Sequence, residues 1–96
     1  MSKPDEISVH DNPRENRYEA HAGDALAGFV DYRPGEDVVA LVHTEVLDEF
    51  EGQGVAGALV SAVLDDLRGL GRKVDAQCPY VDSYIDKHSE YADLRA

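Results

Sequence analysis

The stretch Glu51-Gly52-Gln53-Gly54-Val55-Ala56-Gly57-Ala58-Leu59-Val60 constrains the fold more than any other, because a glycine-rich turn runs directly into an amphipathic helix. Ahead of it, Val38 to Val46 is rich in β-branched residues and reads as a strand, its continuous apolar stretch predicting burial on both faces. The helix extends from about Gly54 to Leu70: Val55, Leu59, Ala62, Val63, Leu67 and Leu70 recur at helical spacing as a core stripe, with Asp65, Asp66 and Arg68 on the other side. Gly69 and Gly71 end it. Arg72 to Gln77 reads as the next strand, and strand–helix–strand implies a right-handed parallel crossover.

Before the crossover lie three shorter alternating segments, Ile7–His10, Arg17–His21 and Leu26–Arg33. Turn-prone residues separate them: Asp11-Asn12-Pro13-Arg14-Glu15-Asn16, then Gly23-Asp24, then Pro34-Gly35. Such short links predict an antiparallel meander. After the crossover, Pro79 opens a second helix as a first-turn residue, with Tyr80, Val81, Tyr84 and Ile85 giving it an apolar face. Tyr91 and Leu94 are expected to pack back on the sheet. The fold class is therefore α+β: a mixed, mostly antiparallel sheet with a β-α-β crossover and two helices.

Glycines let a backbone approach a ligand closely, and a helix N-terminus offers unpaired N–H groups at the positive end of its dipole. The loop thus suits a phosphate or pyrophosphate. It lacks G-x-x-x-x-G-K-[ST]; Gly52, Gly54 and Gly57 have G-x-G-x-x-G spacing, which alone is too weak a signal to identify a dinucleotide fold. Without a further signal, such a loop serves equally well simply to turn the chain.

That further signal lies in three segments taken in order: His43-Thr44-Glu45-Val46, Glu49-Phe50-Glu51-Gly52-Gln53-Gly54, and Cys78-Pro79-Tyr80-Val81 with Tyr84-Ile85 and His88 to Leu94. Together they resemble the GNAT superfamily of N-acetyltransferases, closest to its small single-domain YjdJ-like type, over about residues 7 to 94. The resemblance implies a truncated acyl-CoA N-acyltransferase fold with acetyl-CoA as co-substrate and an amine as acceptor. Strands Val38–Val46 and Arg72–Cys78 would splay apart to admit the pantetheine arm. Backbone groups near Glu45 and Val46 would bind that arm, and amides from Gln53, Gly54, Val55, Ala56 and Gly57 would hold the pyrophosphate. One departure stands out: Glu51 occupies a place where most members carry Gln or Arg, which leaves phosphate binding to the backbone. The helices that normally help shape the acceptor site are missing from this pattern, and a homodimer is one way to supply that wall.

Four side chains are candidates for chemistry. Cys78 precedes the proline that opens a helix, where a thiolate is stabilised and could carry an acetyl group; the alternative is a small buried hydrophobe. Glu45, near the end of an apolar strand, is a general-base candidate if partly buried, or else a solvent-facing residue. His43 shares its side-chain parity and would relay a proton or fill the core. Tyr80, or Tyr84, would protonate the departing CoA thiolate or serve as core.

Charge and composition exclude other classes. Twenty acidic residues against nine basic ones give a net charge of −11, a surface that repels nucleic acid and anionic membranes. Lysine is confined to Lys3, Lys73 and Lys87, and we read the acidic surface as an adaptation to high salt. No apolar run approaches the roughly 18 residues of a membrane span. The single cysteine excludes an internal disulfide, and Met1–Glu6 lacks a secretory pattern, so a soluble, cytoplasmic location is expected. His10, His21, His43 and His88 are scattered without ligand spacing, so no metal is expected, and no G-x-S-x-G elbow occurs. Ninety-six residues make a single domain, 1–96, with residues 1–6 expected to be disordered. Two functions fit: an acetyl-CoA-dependent N-acetyltransferase, or a non-catalytic acyl-CoA/CoA-binding module or sensor.

Overall fold

Each alternating segment becomes a strand, and the links between the first four are short enough to make them hairpin neighbours. In the computed structural model, which describes residues 7–96, β1 (Ile7–Asn12), β2 (Arg17–Ala22), β3 (Ala25–Arg33) and β4 (Val38–Val46) pair antiparallel in sequence order. Strand β5 (Lys73–Ala76) then adds to β4 in parallel. The expectation of disorder over residues 1–6 lies outside the described residues.

The crossover between β4 and β5 is α1 (Val55–Gly69), and α2 (Pro79–Lys87) follows β5 with its proline in the first turn. Two short three-ten turns that periodicity does not signal, Asp48–Phe50 and Ser89–Leu94, complete the chain. At the end of α1, Arg72 N–H bonds the Leu67 carbonyl at 2.9 Å and Gly71 N–H bonds that of Arg68 at 3.0 Å, with Gly71 at φ 73°. This is the paired-bond cap that a left-handed glycine permits.

Leu59, Val60, Val63, Leu64, Val81 and Ile85 are buried with Val30, Leu41 and Val74 in one core. Burying a side chain of this size contributes about 1.5–3 kcal/mol. The buried set on α1 differs from the sequence stripe. Val60 and Leu64 join it, Ala62 is half-buried, and Leu70 at the helix end is 56% exposed. The reason is that α1 touches the sheet on one side and α2 with the Ser89–Leu94 segment on the other, so more than one stripe is covered. Tyr91 and Leu94 of that segment are buried, but it packs mainly on α2 and α1 rather than on the sheet, and the Tyr91 hydroxyl bonds Asp65 of α1 at 2.9 Å.

Burial of β4 on both faces is not observed. Only Val39 and Leu41 are buried, while His43 and Glu45 are exposed. Side chains alternate across the strand and the core cluster covers one face. The register adds a second effect. Asp31 faces His43 and the adjacent Tyr32 faces Leu41, so Val42 is an extra residue in β4. This bulge resets the alternation: Thr44, opposite the buried Val30, joins the core side, and His43 and Glu45 turn away from it.

Candidate functional site

The β4–β5 pairing stops at Leu41 and Ala76. There the amides of Gln77 and Cys78 both donate to the Leu41 carbonyl, at 3.1 and 2.9 Å. Beyond that point β4 runs on to Val46 while the chain on the other side turns into α2. The two strands therefore part as expected, although β5 is shorter than the Arg72–Cys78 strand read from sequence. With both amides turned to one carbonyl, the ladder ends here.

The gap opens into a cleft of about 210 Å³ lined by Val46 and Phe50, by Glu51, Gly52 and Gly54 of the loop, by Val55, Ala56 and Gly57 of α1, and by Tyr80 of α2. Gly52 and Gly54 adopt φ of 80° and 78°, the left-handed region that strains any residue with a Cβ. Gly54 caps α1, and the first amide of the helix to bond is that of Ala58, to the Gly54 carbonyl at 3.1 Å. Among the described residues, no hydrogen bond is donated by the amides of residues 53–57. They form the unsatisfied N-terminal turn of a helix facing a cleft, which suits an anion.

Of the residues singled out in sequence, the cleft thus brings together Val46, Gly54, Val55, Ala56, Gly57 and Tyr80. Gln53 stays outside: its side chain turns back to the Glu49 carbonyl at 3.2 Å. Phe50 is an addition that sequence reasoning missed; its place on an irregular turn carries no periodic signal. Tyr80 is 42% exposed, and its hydroxyl overhangs the first turn of α1, 3.9 Å from where a methyl group on Gly57 would lie. Burial and, secondarily, the neighbouring Tyr84 push the Tyr80 pKa upward, so the hydroxyl carries its proton at neutral pH.

Cys78 occupies the N-cap of α2 but is only 4% exposed and belongs to the core; its thiol points to Thr44 Oγ1 at 3.4 Å. It does not line the cleft. Thr44, brought to that side by the bulge, is a site neighbour that simple alternation could not assign. Glu45 lies on the other side of the sheet, away from the core, with half of its side chain exposed. Its Oε1 is 3.1 Å from Nε2 of His43, which is likewise exposed rather than in the core. Gly28 is required between these faces, because a Cβ there would fall 2.6 Å from the Glu45 carbonyl oxygen.

A larger groove of about 470 Å³ lies between β1, β2 and α1, lined by Asp11, Asp65, Asp66 and Tyr18. The Tyr18 hydroxyl donates to Asp66, and burial followed by that bond drives its pKa far upward. The carboxylates of this groove make it unsuited to a phosphate. No group of three or more metal-binding side chains occurs among the described residues. No helix there is long and apolar enough to cross a membrane.

A strand meander ending in a splayed parallel pair, with a helix N-terminus facing the splay, defines the acyltransferase class to which the comparisons point. Residues 17–94 match the family described as GCN5-related N-acetyl-transferase, and the chain belongs to that family. The solution structure of a GCN5-like protein from Staphylococcus aureus superposes with a TM-score of 0.70 at 25% identity, covering 93% of this chain and 87% of that one. A ribosomal-protein-alanine N-acetyltransferase from Brucella melitensis shares the fold, with a TM-score of 0.59 at 22% identity over 83% of this chain and 60% of that one. Protein NATD1 of Homo sapiens is 35% identical over 54 residues, 56% of this chain and 48% of its own length. The chain thus matches only about half the length of that relative.

Proposed function

We propose that this protein is an acetyl-CoA-dependent N-acetyltransferase that passes the acetyl group directly to an amine. The observation that carries this reading is the start of α1, where the unbonded amides of residues 54–57 line the cleft where β4 and β5 part. The family match supports acyl transfer as the chemistry.

In this reading the amides of residues 53–57 hold the pyrophosphate, and the free edge of β4 up to Val46 receives the pantetheine arm. The acceptor amine approaches from the other side of the sheet. There Glu45, held by His43, takes the proton that the attacking nitrogen must lose, directly or through one water. Tyr80, protonated and within the cleft, gives a proton to the departing thiolate. Cys78, buried against Thr44, is a structural residue in direct transfer. The free thiol fits a reducing cytoplasm.

Calorimetric titration of acetyl-CoA tests the cleft, with micromolar binding expected; no binding at low or molar salt refutes the reading. With an acceptor found in a panel of small cationic amines, Glu45→Gln is expected to lower kcat by about 10²–10⁴ at unchanged CoA affinity. Unchanged turnover would remove Glu45 from the mechanism.

A further inference from the structure

Among the described residues, no cationic side chain lines the cleft that would hold the most highly charged part of the cofactor. The one charged lining residue among them is Glu51, and the three-ten turn leading into it exposes Asp48 and Glu49. Among the described residues, most basic side chains are engaged elsewhere, Arg33 by Gln77 at 2.8 Å. Arg17 pairs with Glu19, Arg68 with Asp93 and Arg95 with Asp82 and Asp86; Arg72 and Lys73 bond backbone carbonyls. Arg14 lies in the β1–β2 turn, near the far ends of the strands, and Lys87 lies in the last turn of α2, whose first turn borders the cleft.

The helix N-terminus supplies only about half an elementary charge. That is less than the opposing charge of Glu51 alone, before Asp48, Glu49 and the overall −11 are counted. A bare polyphosphate brought here meets a net negative field. The field reaches about 10 Å at 0.1 M salt and about 3 Å at 1 M. Most phosphate sites release cations when a ligand binds, because Lys and Arg take their place. Among the described residues lining this one, none can take their place.

We propose that the pyrophosphate end of the cofactor enters this cleft together with cations from solution, so that salt strengthens cofactor binding, and that Glu51 sets the sign of this dependence. This rests on the reading of the cleft as a CoA site. It deepens that reading by making cofactor binding respond to the ionic medium, with a residue of this chain in control.

The test is calorimetric titration of CoA across a KCl series, for the native chain and for Glu51→Lys and Glu36→Gln. Glu36 is an exposed carboxylate in the β3–β4 turn, outside the cleft. Each net cation taken up makes the affinity rise about tenfold between 0.1 and 1 M KCl, the reverse of the fall that accompanies counterion release. The native chain and Glu36→Gln are expected to show that rise, and Glu51→Lys the ordinary fall. Far-UV circular dichroism at each salt reports the folded fraction. A native affinity that is flat or falls with KCl overturns the proposal, as does an unchanged slope in Glu51→Lys or a rise that merely follows the folded fraction. Any of these three results leaves the CoA site standing, whereas no binding at any salt removes both.

Discussion

Replacing Cys78 by alanine separates a structural thiol from a catalytic one. The residue is 4% exposed and packed in the core, its thiol hydrogen-bonded to Thr44 Oγ1 at 3.4 Å. Truncation removes one heavy atom and leaves a cavity smaller than a methylene-scale deletion usually does, so the cost is about 1 kcal/mol. The weak thiol bond adds little, because Thr44 is only half-buried and can bond water instead. For a domain of this length, about 1 kcal/mol lowers Tm by roughly 4–8 °C. Direct transfer predicts that kcat/KM stays within about threefold of native, a barrier change under 1 kcal/mol. An acetyl-cysteine route predicts a loss of at least about 10²-fold, the nucleophile having gone. The assay is CoA release with an accepting amine, alongside a thermal melt and iodoacetamide labelling of the native and urea-unfolded chain. Slow native labelling is expected. A large loss of turnover with fold and CoA affinity intact, or an acetylated Cys78 peptide in a quenched reaction, would refute the reasoning.

Two more perturbations bear on the loop and on the sheet. Gly54→Ala meets no neighbouring atom, but it places a Cβ at φ 78°, so it should cost about 1–2 kcal/mol in urea unfolding and weaken CoA binding as α1 shifts its first turn; equal stability would show that the cap conformation is not required. Glu19 is held to a pKa of about 2 by hydrogen bonds from Asn12, His21 and Arg17. A carboxyl depressed in the fold contributes stability above its unfolded value, about 4.5, that is lost as pH falls towards 2. Urea midpoints measured across that window should therefore fall less steeply in Glu19→Gln than in the native chain, and identical profiles would rule out this role.

Much of the architecture is present in local pattern. Period-two segments and turn residues such as Pro34-Gly35 define the meander, and Pro79 marks the start of α2 where the structure has it. The spacing of Val55, Leu59, Val63 and Leu67 defines one side of α1. What it could not show is that Val60 and Leu64 are covered too, since that depends on the Ser89–Leu94 segment returning from the far end of the chain. The glycine loop was likewise legible as a tight turn into a helix, because glycine adopts at little cost the left-handed backbone that Gly52 and Gly54 show.

The catalytic candidates divide on different grounds. The sequence by itself determined that His43 and Glu45 share a face, because alternation is a property of one strand, and it determined that Cys78 precedes a helix. Only the tertiary structure decided which face and which surroundings. The bulge at Val42 exists only as a register against β3, and it is the bulge that brings Thr44 to the buried Cys78 and turns Glu45 outward. Likewise the cleft joins the loop to Tyr80, residues far apart in the chain that meet because β4 and β5 stop pairing at Leu41 and Ala76. Backbone periodicity is a local property, whereas register and strand separation come from hydrogen bonds between distant segments.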